Sequence, residues 1–197
     1  MLAQAFEFMK INNVIGDYFE FGLWRGKTFL YAHEMKQRYR CEKMRLWGFD
    51  SFQGLPAIDD CRDNIWRAGQ FACSEREFRE ILRRAGVREH EYELVAGYYE
   101  HSLKSSSLRD KLSGNAAAIV YIDCDLYTSA KQVLEFIKHY LVNGSILCFD
   151  DYYNYKASPT QGERKALAEF LTQYDDVNFI DWFDYSPLGK SFIAQLR

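Results

Sequence analysis

The stretch Gly16-Asp17-Tyr18-Phe19-Glu20-Phe21-Gly22-Leu23-Trp24-Arg25-Gly26 decides how this chain is read. A short β-rich apolar run, Asp17 to Phe21, ends in an E-x-G-x-x-x-G turn, and the helical periodicity of Lys27 to Tyr39 begins at once. A strand that feeds a helix through a glycine turn opens a βαβ unit. Glycine lets the backbone approach a ligand where a side chain would collide, and the turn aims the first amides of the helix into the crevice at the carboxyl ends of the strands. A tight turn with no ligand explains the same residues equally well.

Outward from that unit the pattern repeats. Strands are expected over Arg45 to Phe49, Glu93 to Ala96, Ala117 to Ile122 and Ser145 to Phe149, and amphipathic helices over Ser74 to Ala85, Leu103 to Leu112, Ser129 to Leu141 and Gly162 to Tyr174. This α/β alternation predicts a mostly parallel sheet with helices on both faces. The last segment differs: Val177 to Phe183 and Ser191 to Leu196 read as a C-terminal antiparallel hairpin joined by the turn-rich residues Asp184 to Lys190. Seven strands closed in this way favour the Rossmann-like class I methyltransferase plan over a plain dinucleotide-binding domain.

With 197 residues, 48% hydrophobic and 17% aromatic, one core suffices, so 1–197 is expected to be a single domain with 1–15 as a short N-terminal helical extension. Ser51 to Phe71 is too long for a simple connection and is expected to cover an active site. The net charge of −3 and the scatter of basic residues point away from nucleic acid and from a membrane surface, and toward a small-molecule partner. Five cysteines with no C-x-x-C pair argue against a disulfide framework or a zinc site. The N-terminus has no signal-peptide pattern and no segment reaches the length of a membrane span, so a soluble, unprocessed, cytoplasmic protein is expected.

Asp50 stands at the end of the second expected strand, in Gly48-Phe49-Asp50-Ser51-Phe52, where an acidic side chain can accept hydrogen bonds from both hydroxyls of a ribose. The glycine spacing is neither the G-x-G-x-x-G of dinucleotide sites nor a phosphate loop, which favours a nucleoside without a pyrophosphate. A solvated turn is the alternative for Asp50. At the other end, the fourth strand runs into Asp123-Cys124-Asp125 and the fifth into Asp150-Asp151. Neighbouring parallel strands would bring these carboxylates into one crevice, where their repulsion is tolerated once a cation lies between them. Oxygen-only ligands suit Mg²⁺, Mn²⁺ or Ca²⁺ better than Zn²⁺. Helix capping without a metal remains open, above all for Asp125, just ahead of an expected helix.

Gly16 to Gly26, Gly48 to Pro56, Tyr121-Ile122-Asp123-Cys124-Asp125-Leu126-Tyr127 and Phe149-Asp150-Asp151-Tyr152, in this order, resemble the macrocin O-methyltransferase family, and Gly162 to Ala166 with Phe170 resemble its helix after the double aspartate. The resemblance implies methyl transfer from S-adenosylmethionine, with Mg²⁺ or Mn²⁺, to a sugar hydroxyl of a natural product, and admits a homodimer. It implies that Glu20 and Gly22 line the cofactor crevice and that Asp50 holds the ribose, with Phe21, Gly26, Ser51 and Phe52 as neighbouring cofactor-binding candidates. Asp125, Asp150 and Asp151 would be the metal ligands. Some members carry a histidine after the double aspartate where this chain has Tyr152-Tyr153-Asn154; Asp123, at the same strand end and one position away from the ligands, is the candidate catalytic base, with a bound hydroxide or another residue as the alternative.

Two rival readings remain. Asp123-Cys124-Asp125 is also a D-x-D pair of the kind that holds a nucleotide sugar through a metal in glycosyltransferases, which leaves the early glycine turn unexplained. A catalytically silent S-adenosylmethionine-binding module is the non-enzyme alternative. His33 and His139 read as surface or packing residues and His101 as a possible crevice contact; Trp24, Phe52 and Tyr98 could stack on adenine or pack in the core.

Overall fold

The computed structural model describes residues 1–57 and 65–197. Cys61 and the middle of the expected cover, residues 58–64, lie outside the described residues. Seven strands form one sheet in the order β3-β2-β1-β4-β5-β7-β6: β1 (Asp17–Phe21), β2 (Leu46–Asp50), β3 (Tyr92–Ala96), β4 (Ala117–Ile122), β5 (Leu141–Phe149), β6 (Val177–Asp184) and β7 (Lys190–Leu196). The first five pair in parallel, and β7 runs antiparallel to both β5 and β6. The closing hairpin is therefore as expected, and the order reverses at β1 and β4, where an open α/β sheet places its ligand crevice.

Side-chain alternation along the strands sorts the core into two layers. Phe19 and Phe21 of β1, Trp47 and Phe49 of β2 and Val120 and Ile122 of β4 meet apolar residues of α5 (Ser106–Lys111), α6 (Tyr127–Ile137) and α8 (Gly162–Gln173). The opposite face, with Tyr18, Leu46, Ile119, Tyr121 and Cys148, is covered by α1 (Leu2–Ile11), α2 (Lys27–Arg38) and α3 (Glu75–Arg84). In α1 the buried residues Leu2, Ala5, Phe6 and Met9 form one stripe, so this N-terminal helix is part of that layer. At the lower edge Asp17 ties three segments together, accepting from the Arg45 amide at 2.9 Å, Trp47 Nε1 at 2.9 Å and Asn115 Nδ2 at 2.8 Å.

Two expected elements differ. Of the helix expected over Leu103 to Leu112 only α5 forms, starting at Ser106, because Ser105 adopts an extended backbone (φ −61°, ψ 128°) at its cap; a separate short helix not expected from the sequence, α4 (Tyr99–Ser102), precedes it. Serine competes poorly in helix interiors and well at N-caps. Strand β5 starts at Leu141, ahead of the expected Ser145, because fully buried Ser145 repairs the irregular pairing. Its hydroxyl donates to Ala117 O at 2.7 Å and accepts from the Val142 amide at 2.8 Å. Among the described residues no helix is long and apolar enough to cross a membrane.

Candidate active site

A cavity of about 620 Å³ opens at the carboxyl ends of β1, β2, β4 and β5. Its walls include Gly22, Asp50 and Ser51 at one end and Asp123, Asp125, Asp150 and Asp151 at the other. Gly22, at φ +90°, is where β1 leaves the sheet, and a Cβ there would stand 1.8 Å from Asp123 O. The two ends of the site thus touch through bare backbone. Asp50 shapes the turn: Oδ2 accepts from the amides of Leu23 at 2.7 Å and Trp24 at 3.3 Å, and Oδ1 from that of Phe52 at 2.6 Å. Burial raises its pKa, and these three amides pull the other way. Asp50 is therefore no solvated turn residue, and it lines the cavity.

The described ends of the expected cover line the same cavity. Leu55 and Gln70 are clipped together (Leu55 N to Gln70 O, 2.9 Å), and Leu55, Pro56, Trp66 and Phe71 contribute to the wall. Trp24, half exposed, meets Phe71 edge-on with ring centroids 5.5 Å apart, and Trp66 meets Phe71 at the same distance. This aromatic rim faces an acidic floor.

The strand ladders carry directly into that floor. The Asp123 amide bonds Phe21 O at 2.8 Å and the Asp150 amide bonds Ile122 O at 2.9 Å, which fixes both acidic motifs to the sheet. Carboxylate oxygens of Asp123, Asp125 and Asp151 lie within 4.8 Å of one another. Asp150, expected among the ligands, is outside this group: it continues the alternation of β5, which aims its carboxylate at the Tyr121 hydroxyl, 2.5 Å away. Asp123, expected as the base, is inside it. Asp125 has a left-handed backbone (φ +58°), and the cap of α6 is Leu126, so helix capping does not account for Asp125. Burial, first, and the neighbouring aspartates, second, raise the pKa values of Asp123 and Asp125, and burial raises that of Asp151.

These residues fit a divalent cation. Among the described residues none of the four aspartates forms an ion pair. Asp151 Oδ1 accepts from Asn154 Nδ2 at 2.7 Å, while its Oδ2 is buried without a hydrogen-bond partner. A buried orphan oxygen beside two further carboxylates, all hard donors, matches what Mg²⁺ or Mn²⁺ requires.

Sequence reasoning missed Glu163. This carboxyl is fully buried between the two acidic motifs, with Oε1 3.4 Å from the Cys124 amide and Oε2 3.1 Å from the Asp151 amide. A signal was present: Glu163 shares the buried stripe of α8 with Ala166, Leu167 and Phe170, an apolar series that an unpartnered carboxylate does not join.

Four cofactor candidates stand behind the cavity wall. Strand alternation turns Glu20 to the opposite face, where it is buried against the Tyr18 hydroxyl. Burial pushes its pKa up to about 8, against the lowering effect of that hydrogen bond. Phe21 stacks on Phe49 with centroids 4.4 Å apart, Phe52 leans on Phe78, and Gly26 (φ +72°) sits where a Cβ would be 2.7 Å from the Phe78 ring. Of the other aromatic candidates, Trp24 and Tyr98 line the cavity. His139 is exposed, His33 lies 3.4 Å from Glu91, and His101 is exposed beside Glu100 outside the wall.

Residues 1–184 match the macrocin-O-methyltransferase family. A tetracenomycin-C-type 4'-O-methyltransferase of Streptomyces olivaceus, whose substrate carries a 2,3-dimethoxy-α-L-rhamnosyl group, is 24% identical over 77% of this chain and 58% of its own length. Demethyldecarbamoylnovobiocin O-methyltransferase of Streptomyces niveus is 27% identical over 72% of this chain and 54% of its own. The chain thus spans little more than half the length of these relatives. The solved O-methyltransferase NovP superposes with a TM-score of 0.80 at 22% identity, covering 100% of this chain and 78% of that one.

The position of Phe21 yields a first test. Phe21→Leu removes an aromatic stack and should lower stability in urea unfolding by on the order of 1 kcal/mol. S-adenosylhomocysteine should bind the folded variant with affinity within about twofold of the parent; a loss of tenfold or more would return Phe21 to the cofactor wall.

Proposed function

Because the chain belongs to the macrocin-O-methyltransferase family, we propose that it transfers the methyl group of S-adenosylmethionine to a hydroxyl of a sugar or other small polyhydroxylated natural product, with Mg²⁺ or Mn²⁺ at its aspartate cluster. One observation carries the reading. A single cavity joins a glycine turn and a strand-end aspartate to a second strand-end group of aspartates that has no counter-charge among the described residues.

The roles follow from chemistry. Asp50, already held by three amides, offers its remaining lone pairs to the ribose hydroxyls, and Ser51 lies beside it. Gly22, whose missing side chain makes room for the Asp123 backbone, lines the cavity where the donor would lie. The acceptor places its hydroxyl toward the acidic floor and its apolar surface against Trp24, Trp66 and Phe71. A bound cation supplies electrostatic stabilisation of the alkoxide that develops as the acceptor oxygen attacks the methyl carbon in line with the departing sulfur. The proton of that hydroxyl passes to a carboxylate of the cluster, and Asp123 is the one we propose. The glycosyltransferase reading leaves the glycine turn, Asp50 and the second acidic pair unused.

With labelled S-adenosylmethionine and a panel of glycosides, methyl transfer is expected and should stop on addition of a chelator while S-adenosylhomocysteine still binds. Full activity in chelator would sink the metal role, and binding without turnover of any acceptor would favour a silent module. The raised carboxyl pKa values mean that protons compete with the cation, so Mn²⁺ affinity should climb as pH rises from roughly 6 to 8, with protons released on binding. Asp123→Asn separates two roles for one residue. As base, it should lower kcat by about two orders of magnitude or more and leave Mn²⁺ affinity unchanged. A matching loss of Mn²⁺ affinity would reassign Asp123 as a ligand.

A further inference from the structure

We infer that Glu163 is a positioning residue for the metal: its carboxylate clasps the amides of Cys124 and Asp151 and so holds the exits of β4 and β5 in the arrangement that brings Asp123, Asp125 and Asp151 together. The inference rests on the metal reading proposed above.

Each bonded amide sits inside an acidic motif. Cys124 is the residue between Asp123 and Asp125, and Asp151 is itself one of the three grouped carboxylates. One side chain therefore touches both motifs through the backbone, without competing for any aspartate oxygen. Its anchor is firm, since the rest of its stripe, Ala166, Leu167 and Phe170, is buried in the core, and α8 packs along α6. What it restrains is a segment that needs restraint. Immediately after Cys124 the chain turns through the left-handed backbone of Asp125, and the Leu126 amide folds back onto Cys124 O at 2.5 Å. The Cys124 N–H that Glu163 holds belongs to the peptide between Asp123 and Cys124, and rotation of that peptide would re-aim the carboxylates on either side of it.

The chemistry of the side chain matters as much as its place. Burial and the charges of Asp151 and Asp123 raise the pKa of Glu163, while its two amide bonds pull the other way; in the ionised form that those bonds favour, both oxygens accept, which suits two amides approaching from different strands. A carboxamide accepts at one end only and would point N–H at N–H at the other. A leucine would complete the apolar stripe without the cost of desolvating a carboxyl, but it would tie neither amide.

The test compares the parent protein with Glu163→Gln and Glu163→Asp, using Mn²⁺ affinity by electron paramagnetic resonance, S-adenosylhomocysteine affinity of metal-free protein by calorimetry, and the ¹⁵N–¹H resonances of Cys124 and Asp151. In Glu163→Gln the Mn²⁺ dissociation constant should rise about 10- to 100-fold, the scale of losses from residues that orient metal ligands. S-adenosylhomocysteine affinity should stay within about twofold, and at least one of the two amide protons should move upfield as its charge-assisted bond is lost. Glu163→Asp, one methylene shorter, should fall between the parent and Glu163→Gln, and it carries the test if the glutamine variant fails to fold. Unchanged Mn²⁺ affinity in a folded variant overturns the inference, as does parallel loss of Mn²⁺ and S-adenosylhomocysteine binding, which marks a merely structural role. A parent protein that binds no Mn²⁺ sinks the metal reading, whereas unmoved amide resonances sink the clasp itself.

Discussion

Repulsion among carboxyl groups at the exits of two neighbouring strands is the constraint around which this site is built. Backbone pairing carries Asp123 alongside Phe21 and Asp150 alongside Ile122, so the sheet itself forces the acidic motifs together. Burial then raises the pKa values of Asp123, Asp125 and Asp151 and makes the folded protein hold protons that the unfolded chain would release above the usual carboxylate range. By linkage, each such group subtracts stability as pH rises through the interval between its unfolded and folded pKa. Glu20, raised to about 8 on the other face, adds to the same debit without facing the cavity. A fold that keeps these groups ionised near neutrality needs a positive charge among them, and among the described residues no lysine or arginine lines the cavity.

Much of this was legible in the sequence because strand ends and glycine turns leave strong local marks. The alternation of apolar runs and amphipathic stretches set the order of elements, and the turn-rich Asp184 to Lys190 marked the hairpin that closes the sheet. Gly22 and Asp50 could be found by position alone, since a switch point between strands puts its ligand-facing residues at carboxyl ends. Orientation within a motif was less visible. Glu20 and Phe21 are adjacent to Gly22, yet the period of two along β1 sends one to each face, and neither reaches the cavity. The same alternation directs Asp150 to Tyr121, while its neighbour Asp151 joins Asp123 and Asp125. Glu163 left a mark of burial, in its place on the apolar stripe of α8, but none of its partners: these are amides 12 and 39 residues away in sequence, and backbone donors leave no trace in residue types.

The two ends of the cavity also differ in how complete they are. At the glycine-turn end every strong demand is already met, because the Asp50 carboxylate that lines the cavity is the same one that organises the Leu23, Trp24 and Phe52 amides. A ligand there gains a preformed surface and pays little to order it. The acidic end is ordered in its backbone and unfinished in its charges. Tyr121 and Asn154 each fix one carboxyl and Glu163 fixes two amides, but Asp151 Oδ2 is left buried without a partner beside carboxyls that only accept when ionised. Protons relieve that state by neutralising the carboxyls and so remove them as anions; a divalent cation relieves it and keeps them. Only the second route would leave an electrophilic centre next to the point where Gly22 lets the two ends meet, which is the physical reason for proposing the chemistry at the unfinished end of the site and not at the finished one.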